Sequence, residues 1–312
     1  MADNHRSIPS IVDGLKPGQR KILYSCFKRL PSGAKKLSQD IKVAQLSGYV
    51  AEHSAYHHGE VSLSMTIVGM AQDFVGSNNI NILMPVGQFG TRAVGGKDFA
   101  SPRYIFTNVN EQTRALFPED DGAVLNYLHE EGMSIEPEFY APIIPMVLVN
   151  GAEGIGTGWS TMIPQFSPLD LIENIRARLN GSRQEFRRLT PWYRGFKGQV
   201  HYASETNSYA FKGTYSIKGP NKLEISELPI RKWTRDFKAY LQTLAQNDEI
   251  EDIKEYHKDH SIRFVLTIPN LREMENAEGG IEKKFRLSTN YSANNMVLFD
   301  ANGQIKRYSD ER

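Results

Sequence analysis

The chain has 312 residues, of which 40% are hydrophobic and 23% charged, and this is ordinary for a globular protein of about two domains. A single cysteine, Cys26, excludes an internal disulfide and suits a reducing compartment. No apolar run reaches the ~18 residues that a transmembrane helix needs. The polar first residues, with Asp3 among them, do not predict a signal peptide.

The small net charge of +1 is unevenly distributed along the chain. Residues 1–104 contain 12 lysines and arginines against 7 acidic residues, whereas residues 105–165 contain 1 against 9. A basic first part beside an acidic strip is compatible with a face that binds a polyanion. Solvated surfaces also vary in charge, so this distribution alone leaves the function open.

The basic first part of the chain predicts a pair of helices joined by a glycine turn. A helix is predicted at 17–29, followed by helices at 42–56 and 60–75 that are separated at Gly59. In the last helix a wide apolar face predicts deep burial, and its residues are Val61, Leu63, Met65, Ile67, Val68, Met70 and Phe74. Such a pair is compatible with a helix-turn-helix, although most helix pairs with glycine turns bind nothing.

From about residue 80, the sequence predicts short strands and glycine loops, as in the wing of a winged helix. The segment "PMVLVNGAEGIGTGWS" predicts a strand that runs into glycines, which invites a dinucleotide-binding interpretation. A loop of that kind opens directly into a helix. Here the next helix starts only at Ser167, as N-cap, and Pro168. We therefore predict a contorted loop and not a nucleotide site.

Beyond residue 190 the pattern predicts a separate α+β domain. Its expected elements are an antiparallel meander at 198–203, 209–217 and 222–228, a helix at 234–244 capped by Thr234, a strand at 261–268 and a hairpin at 296–308 turning at Asn302-Gly303. The predicted fold class is α+β, with a winged-helix (helix-turn-helix) domain at 1–134 and an α/β domain with an antiparallel sheet at 135–312. The patterned sequence starts and stops abruptly, so we expect a part of a larger protein.

Six motifs, in this order, closely resemble those of eukaryotic-type DNA topoisomerase II, of the type IIA family that includes the gyrase A protein. They are "DGLKPGQRK", "YHHGE", "GQFGTR", "GGKD", "PRYIFT" and "NGAEGIGTGWS". The match extends over essentially the whole chain, and six motifs in register are highly specific. The resemblance implies the DNA breakage-reunion segment of a type II topoisomerase. Residues 1–134 would be its winged-helix domain and 135–312 its tower domain, ending before the coiled-coil exit gate.

The resemblance also implies catalytic roles. Tyr104 would attack a backbone phosphorus, form a 5′-phosphotyrosyl link and free a 3′ hydroxyl. A phenol is mostly protonated at neutral pH and needs activation, but it leaves more readily than an alkoxide when the 3′ hydroxyl returns. Arg103 would place positive charge at the phosphate, and His58 would accept a proton or donate a hydrogen bond there. Arg6 aligns with a family cation that contacts DNA and helps to activate the tyrosine.

The same resemblance implies DNA-binding residues. Lys16, like Arg6, aligns with a family cation at the DNA, and Arg92 and Lys97 would be phosphate contacts, which position a duplex without reading it. Ile155 aligns with the family's intercalating isoleucine, an apolar wedge that unstacks bases and bends DNA. The glycines around Ile155 would let the backbone come close to the minor groove.

Other residues have simpler interpretations. Without the resemblance, Tyr104 would be an ordinary strand aromatic. His57-His58 lacks a third metal ligand at suitable spacing, so we predict no metal site there and leave His57 as structural. The pair Asp120-Asp121 is predicted to lie in a loop and to bind no metal. Phe99 departs from the family pattern, which has a small residue at that position.

The resemblance implies cofactors and partners beyond this chain. In the family, Mg²⁺ is held by a Toprim domain and ATP by an ATPase domain, both absent here. Expected partners are double-stranded DNA, a second copy in a homodimer, and the Toprim/ATPase portion in cis or in trans, with no membrane and a nuclear location. We expect the chain alone to bind and bend DNA but to cut poorly. The alternatives are a catalytically inert DNA-bending module and, less favoured, a nucleotide-dependent metabolic enzyme built on "GAEGIGTG".

Overall fold

The structure, a computed structural model, describes residues 2–130, 132–181, 183, 186–258 and 260–312. Its helices are α1 (Ala2–Ser7), α2 (Pro17–Arg29), α3 (Val43–Ser54), α4 (Glu60–Ala71), α5 (Glu111–Leu116), α6 (Met146–Val149), α7 (Pro168–Leu179), α8 (Thr234–Gln246), α9 (Leu271–Asn276) and α10 (Gly280–Lys284). In the part that is described, no helix is long and apolar enough to cross a membrane.

The strands are short and pair in antiparallel fashion. They are β1 (Ile41–Lys42), β2 (Phe106–Thr107), β3 (Tyr127–Glu130), β4 (Met133–Pro137), β5 (Ala152–Ile155), β6 (Ser160–Ile163), β7 (Gln199–Ala203), β8 (Ser208–Lys212), β9 (Thr214–Gly219), β10 (Lys222–Glu227), β11 (Asp252–Glu255), β12 (Phe264–Thr267), β13 (Ser288–Ser292), β14 (Met296–Phe299) and β15 (Ile305–Tyr308). The predicted α+β fold class is confirmed.

The predicted helix pair is present as α3 and α4. Helix α3 ends where Ala55 adopts a left-handed conformation (φ 49°), and Gly59, at φ 88°, directly precedes α4. Both helices are shorter than predicted. Helix α2 has the predicted bounds, and its start is fixed by the Lys16 backbone N–H, which donates to Gln19 Oε1 at 2.9 Å.

The apolar face of α4 is narrower than predicted. Leu63 and Ile67 are fully buried, whereas Val61 is 76% exposed and Met65 55% exposed. A helix packed on one side buries a stripe, and residues that flank the stripe stay in solvent. The prediction that Val61 and Met65 contribute to burial is therefore wrong.

One hydrophobic cluster joins α2, α3 and α4 to segments far along the chain. Leu23, Leu46 and Ile67 lie in it together with Phe166 and Leu189. Because this cluster extends beyond residue 134, the domain boundary at that position stays a prediction, and so does the winged-helix assignment of residues 1–134.

Beyond residue 190 the strands form two sheets, and the predicted single meander is wrong. The strand predicted at 209–217 is divided at Gly213, so that β8 lies in the sheet β13-β8-β7 and β9 in the sheet β11-β12-β10-β9. A Cβ atom at Gly213 would overlap the Glu227 carbonyl oxygen. The Gly213 N–H donates to the Leu287 carbonyl at 2.9 Å. A glycine therefore permits the crowded corner at which the chain changes sheets.

Helix starts and the last hairpin test the local signals. Ser167 caps α7 as predicted, because its side chain accepts from the Asp170 N–H. Thr234 is not a cap but the first residue of α8, and Trp233 takes the N-cap position. The β14–β15 hairpin turns at the predicted place, with Gly303 at φ 73°.

The segment at 145–160 differs from the predicted strand and loop. Pro145 is followed by the short helix α6, since the Leu148 and Val149 N–H groups both donate to the Pro145 carbonyl. The glycine-rich part then forms the β5–β6 hairpin, not a contorted loop. Asp120 and Asp121 lie in a 3-10 helix (Asp120–Ala123) where a loop was predicted.

A buried ion pair ties the start of the chain to this core. Asp13 is fully buried and accepts from Arg20 Nε at 2.7 Å and Nη2 at 3.0 Å. Its carboxylate also accepts the backbone N–H groups of Leu15 and Tyr140, each at 3.0 Å. The carboxylate thus connects three separate segments in a dry environment.

Asp13→Ala is expected to lower the free energy of unfolding by about 3–5 kcal/mol, because it leaves the Arg20 guanidinium buried without its partner. Urea denaturation measures the change. Burial raises the pKa of Cys26 to about 12, so iodoacetamide labelling of this thiol gives a second readout of core opening. The control is Glu52→Ala, at an exposed carboxylate. Equal stability of the two variants would contradict the prediction.

Candidate nucleic-acid interface

Tyr104 lies on a turn that is hydrogen-bonded to the start of α3. Its N–H donates to the Ser101 carbonyl at 2.8 Å. The carbonyls of Pro102 and Ile105, on either side, accept the N–H groups of Ala44 and Val43, both at 3.0 Å. These contacts fix the backbone while the Tyr104 side chain is 76% exposed.

The exposure of Tyr104 separates the two interpretations of this residue. A strand aromatic would pack against the sheet or the core, but β2 begins only at Phe106 and Tyr104 remains in solvent. Its neighbour Arg103 is also exposed. The local structure therefore presents a phenol and a guanidinium side by side on the surface, on a backbone that secondary structure holds in place.

Lys42 is a neighbouring cation that the sequence analysis did not identify. It is the last residue of β1, where it pairs with Phe106, and its Nζ lies 5.9 Å from the centroid of the Phe106 ring. Only the register of β1 and β2, whose residues are far apart in sequence, brings this charge close to the Tyr104 turn. The basic character of the first part of the chain was the one available signal.

A cavity of about 550 Å³ brings together three of the predicted residues. Arg6, Lys16 and His58 line it, and Tyr56 makes an edge-on contact with His58 at 5.5 Å between ring centroids. The exposed side of α4 contributes the other wall through Ser62, Thr66 and Gly69. Tyr104 and Arg103 are not among the lining residues, so the predicted site residues form two groups in this structure.

The cavity is positively charged, but not all of its cations are available to a ligand. Lys21, which also lines it, pairs with Glu136 at 2.9 Å and donates to the Ser54 carbonyl. Arg6 is exposed and makes no ion pair within the described part of the chain. Arg6 is therefore the cation of this cavity that is best placed to meet an incoming anion.

Lys16 holds the β5–β6 hairpin. Its Nζ donates to the Glu153 carbonyl at 2.8 Å. Burial lowers the pKa of Lys16, and the charge of Glu153 partly opposes that shift. The ammonium is thus engaged with the hairpin backbone while it borders the cavity.

Ile155 lies at the end of this hairpin, where it is 83% exposed. Gly154 and Gly156 pack against α1, because a Cβ atom at either position would overlap Ser7 or Asn4. The predicted reason for these glycines, close approach to a minor groove, is thus not the one seen here. The glycines seat the base of the hairpin on α1 and leave Ile155 projecting from it.

Arg92 and Lys97, predicted together as phosphate contacts, differ in their surroundings. The Arg92 side chain is 11% exposed and its Nη2 lies 2.5 Å from Glu227 Oε1. It also donates to the Leu228 carbonyl at 3.0 Å. Lys97 is exposed and has no ion-pair partner among the described residues. The geometry favours a structural role for Arg92 and leaves Lys97 open to a phosphate.

The histidine pair and the acidic pair do not form a metal centre in this arrangement. His57 Nε2 lies 3.3 Å from Glu130 Oε1, which gives His57 a partner within the protein. Across the described ranges, no group of three or more His, Cys, Asp or Glu side chains is arranged to hold a metal ion.

Lys16→Met is expected to release the hairpin. Loss of a charge-assisted hydrogen bond costs about 1.5–3 kcal/mol, so amide exchange over residues 152–163 should become roughly 10- to 100-fold faster. Hydrogen exchange with mass spectrometry measures this. Lys97→Met, at an exposed lysine, is the matched control and should leave the hairpin protected. Identical exchange in both variants would show that Lys16 does not hold the hairpin.

The comparisons with known proteins agree with one another over the whole chain. The family model for the gyrase A-type chain of DNA gyrase/topoisomerase IV matches residues 6–311. DNA topoisomerase 2 of Arabidopsis thaliana is 51% identical over 314 residues, which cover 99% of this chain and 21% of the relative. DNA topoisomerase 2-alpha of Homo sapiens is 49% identical over 313 residues, covering 98% of this chain and 20% of the relative.

A solved structure gives the same result. The crystal structure of the Plasmodium falciparum topoisomerase II DNA-binding, cleavage and re-ligation domain superposes with a TM-score of 0.93 at 47% identity. The match covers 99% of this chain and 42% of that one. This chain spans about a fifth of the length of the curated relatives it matches. It belongs to the gyrase A-type family of DNA gyrase/topoisomerase IV, and within that family it is similar to the eukaryotic DNA topoisomerases 2.

Proposed function

We propose that this chain is the DNA breakage-reunion segment of a type II DNA topoisomerase, with Tyr104 as the nucleophile. The observation that carries the proposal is the presentation of Tyr104. Its phenol is 76% exposed, while its backbone is hydrogen-bonded to α3. An exposed nucleophile on a fixed backbone can reach an external phosphate in a reproducible geometry.

The proposed reaction is a transesterification without net change in bonds. Tyr104 Oη attacks a backbone phosphorus, the bond from phosphorus to the 3′ oxygen breaks, and the 5′ end stays on the tyrosine. The phenol gives up a proton and the departing 3′ oxygen takes one up. Resealing is the reverse step, so the bond energy is conserved and no ligase cofactor is consumed.

The cations would act at different distances from the reacting phosphate. Arg103, adjacent to Tyr104, would stabilise the charge that grows on the phosphate oxygens. His58, Arg6 and Lys16 share one cavity, which supports a role for them as a group. This cavity is separate from the Tyr104 turn, so DNA bound across both surfaces would be required to bring the two groups to one phosphate.

DNA bending would be the task of the hairpin. Ile155 is 83% exposed, and an apolar side chain in that position can enter between base pairs at a cost of a few kcal/mol for unstacking. The bend would bring the duplex onto a larger protein surface, where Lys97 and Lys42 are exposed. Phosphate contacts of this kind make affinity strongly dependent on salt.

The residues of the described ranges do not fit a Mg²⁺ or an ATP site. Neither a cluster of acidic side chains nor a glycine loop that opens into a helix is present there. We propose that both are held by Toprim and ATPase portions of the full protein, in cis or in trans. The proposed partners are double-stranded DNA and a second copy of the chain, and the proposed location is the nucleus.

The alternative is a catalytically inert module that binds and bends DNA. The packing of Ile155 on its hairpin supports bending in either case, so bending alone does not separate the two. Formation of a covalent adduct on Tyr104 does.

The test is trapping of a DNA adduct. The chain is mixed with a separately expressed Toprim portion, Mg²⁺ and end-labelled duplex DNA, quenched with detergent and analysed by mass spectrometry. We expect a nucleotide on Tyr104, and Tyr104→Phe should abolish it while DNA affinity changes by about two-fold or less, since only a hydroxyl is removed. Without the Toprim portion, cleavage should be poor.

Tyr256→Phe is the matched control, because Tyr256 is also an exposed tyrosine. This variant should form as much adduct as the unmodified chain. Tight DNA binding with no adduct in the unmodified chain would favour the inert bending module. Efficient cleavage by the chain alone would refute the proposed division of the metal site.

A further inference from the structure

The segment that joins β10 to α8 (residues 227–235, here named the connector) contacts the loop that precedes Tyr104. Arg92 of this loop pairs with Glu227 and donates to the Leu228 carbonyl. The neighbouring Ala93 carbonyl accepts the Arg235 N–H at 3.0 Å. Two backbone contacts and a buried ion pair thus tie one end of the loop to the connector.

The ion pair is well satisfied and therefore geometrically specific. Glu227 is 3% exposed, and besides Arg92 it accepts the N–H groups of Leu228 at 2.8 Å and Lys197 at 3.1 Å. A buried carboxylate with this many donors has one favourable position. The loop that carries Arg92 is therefore fixed in register with the connector.

Trp233 of the connector shapes the other end of the same loop. Gly95 has φ +65°, and a Cβ atom there would overlap the indole of Trp233. The indole also meets Phe74 at 6.1 Å between ring centroids and lies against Gly76. Because the loop folds around the indole, removal of Trp233 would free the segment that leads to Tyr104.

The connector also contacts the hairpin that carries Ile155. The Arg231 guanidinium pairs with the carboxylate of Glu153, which lies two residues before Ile155 on β5. Arg231 has φ +64°, an uncommon conformation for a residue with a side chain, and its guanidinium carbon lies 5.7 Å from the Tyr291 ring centroid. A strained residue held by two partners indicates that its position matters.

We propose that the connector couples the Ile155 hairpin to the Tyr104 loop, with Trp233 and Arg231 as positioning residues. Insertion of Ile155 into DNA would move the hairpin, and the pair Arg231–Glu153 would carry this displacement into the connector. The contacts of Trp233 and Glu227 would then set the loop that leads to Tyr104. Bending and cleavage would thereby be linked through a segment that itself contains neither Ile155 nor Tyr104. This inference rests on the proposed function.

A connector that merely stabilises the fold would behave differently. Its loss would lower stability, but the effect of Ile155 on cleavage would stay the same, since independent sites contribute additively. The distinguishing quantity is the interaction between a change at Ile155 and a change in the connector, measured on the rate of adduct formation.

The experiment is a double-mutant cycle in the full protein that contains this chain with its Toprim and ATPase portions. Ile155→Ala is combined with Trp233→Ala, and separately with Arg231→Gln, whose side chain is partly exposed and which should fold even if the tryptophan variant does not. Covalent adduct is trapped with detergent over time. Bend angle and DNA affinity are measured by fluorescence energy transfer on end-labelled duplex.

In the unmodified background, Ile155→Ala should slow adduct formation about ten-fold, whereas in either connector background the same change should slow it by about two-fold or less. The connector variants should themselves slow adduct formation about ten-fold while affinity changes by about two-fold or less. Trp233→Phe should restore most of the rate. Trp192→Ala, at a half-exposed tryptophan outside the connector, should leave the coupling intact.

Two results would overturn the inference. An equal fold-loss from Ile155→Ala in the unmodified and connector backgrounds would mean that the connector only stabilises the protein. No adduct on Tyr104 in the unmodified protein would instead refute the proposed function, and the inference would fail with it.

Discussion

The hydrogen bonds between the Tyr104 turn and the first turn of α3 are the constraint on which the surface chemistry depends. A helix begins with N–H groups that lack partners inside the helix. Here the carbonyls of Pro102 and Ile105 satisfy two of these groups. The turn therefore completes α3, and α3 in return holds the turn, so that the exposed phenol is part of the secondary structure.

The cations of the chain divide into those that build the protein and those that face solvent. Arg20, Lys21 and Arg92 are committed to buried or largely buried carboxylates. Arg6, Lys42, Lys97 and Arg103 are exposed. The basic character of residues 1–104 thus overstates the charge that a polyanion can reach, because part of it is neutralised inside the fold.

Much of the fold could be predicted where the signal is local. Pro17 and the sequence Ser167-Pro168 mark helix starts that the structure confirms, because capping depends on neighbouring residues. The splitting of one predicted strand at Gly213 and the helical turn after Pro145 could not be predicted, since apolar strand patterns do not specify which sheet a strand joins. The exposure of Val61 and Met65 depends on what packs against α4, which periodicity alone does not give.

The candidate site shows the same division. The motif around Tyr104 predicted an unusual tyrosine, and its exposure agrees with that prediction, although the catalytic role itself stays a proposal. The role of Arg92 depends on Glu227 and on Leu228, which lies 136 positions later, and no pattern near Arg92 indicates them. Lys42 was missed for a similar reason, because only the pairing of β1 with β2 places it near the turn.

The corner at Gly213 has a consequence for insertions and deletions. Strand β8 ends at Lys212 and β9 begins at Thr214, so a single residue connects the two sheets. One added residue there would reverse the faces of a following strand, because side chains alternate along it. The turn at 300–304, whose backbone is held mainly by Asp300, offers the opposite case. Length variation in this half of the molecule should therefore accumulate in its hairpin turns and be absent where the chain passes between sheets.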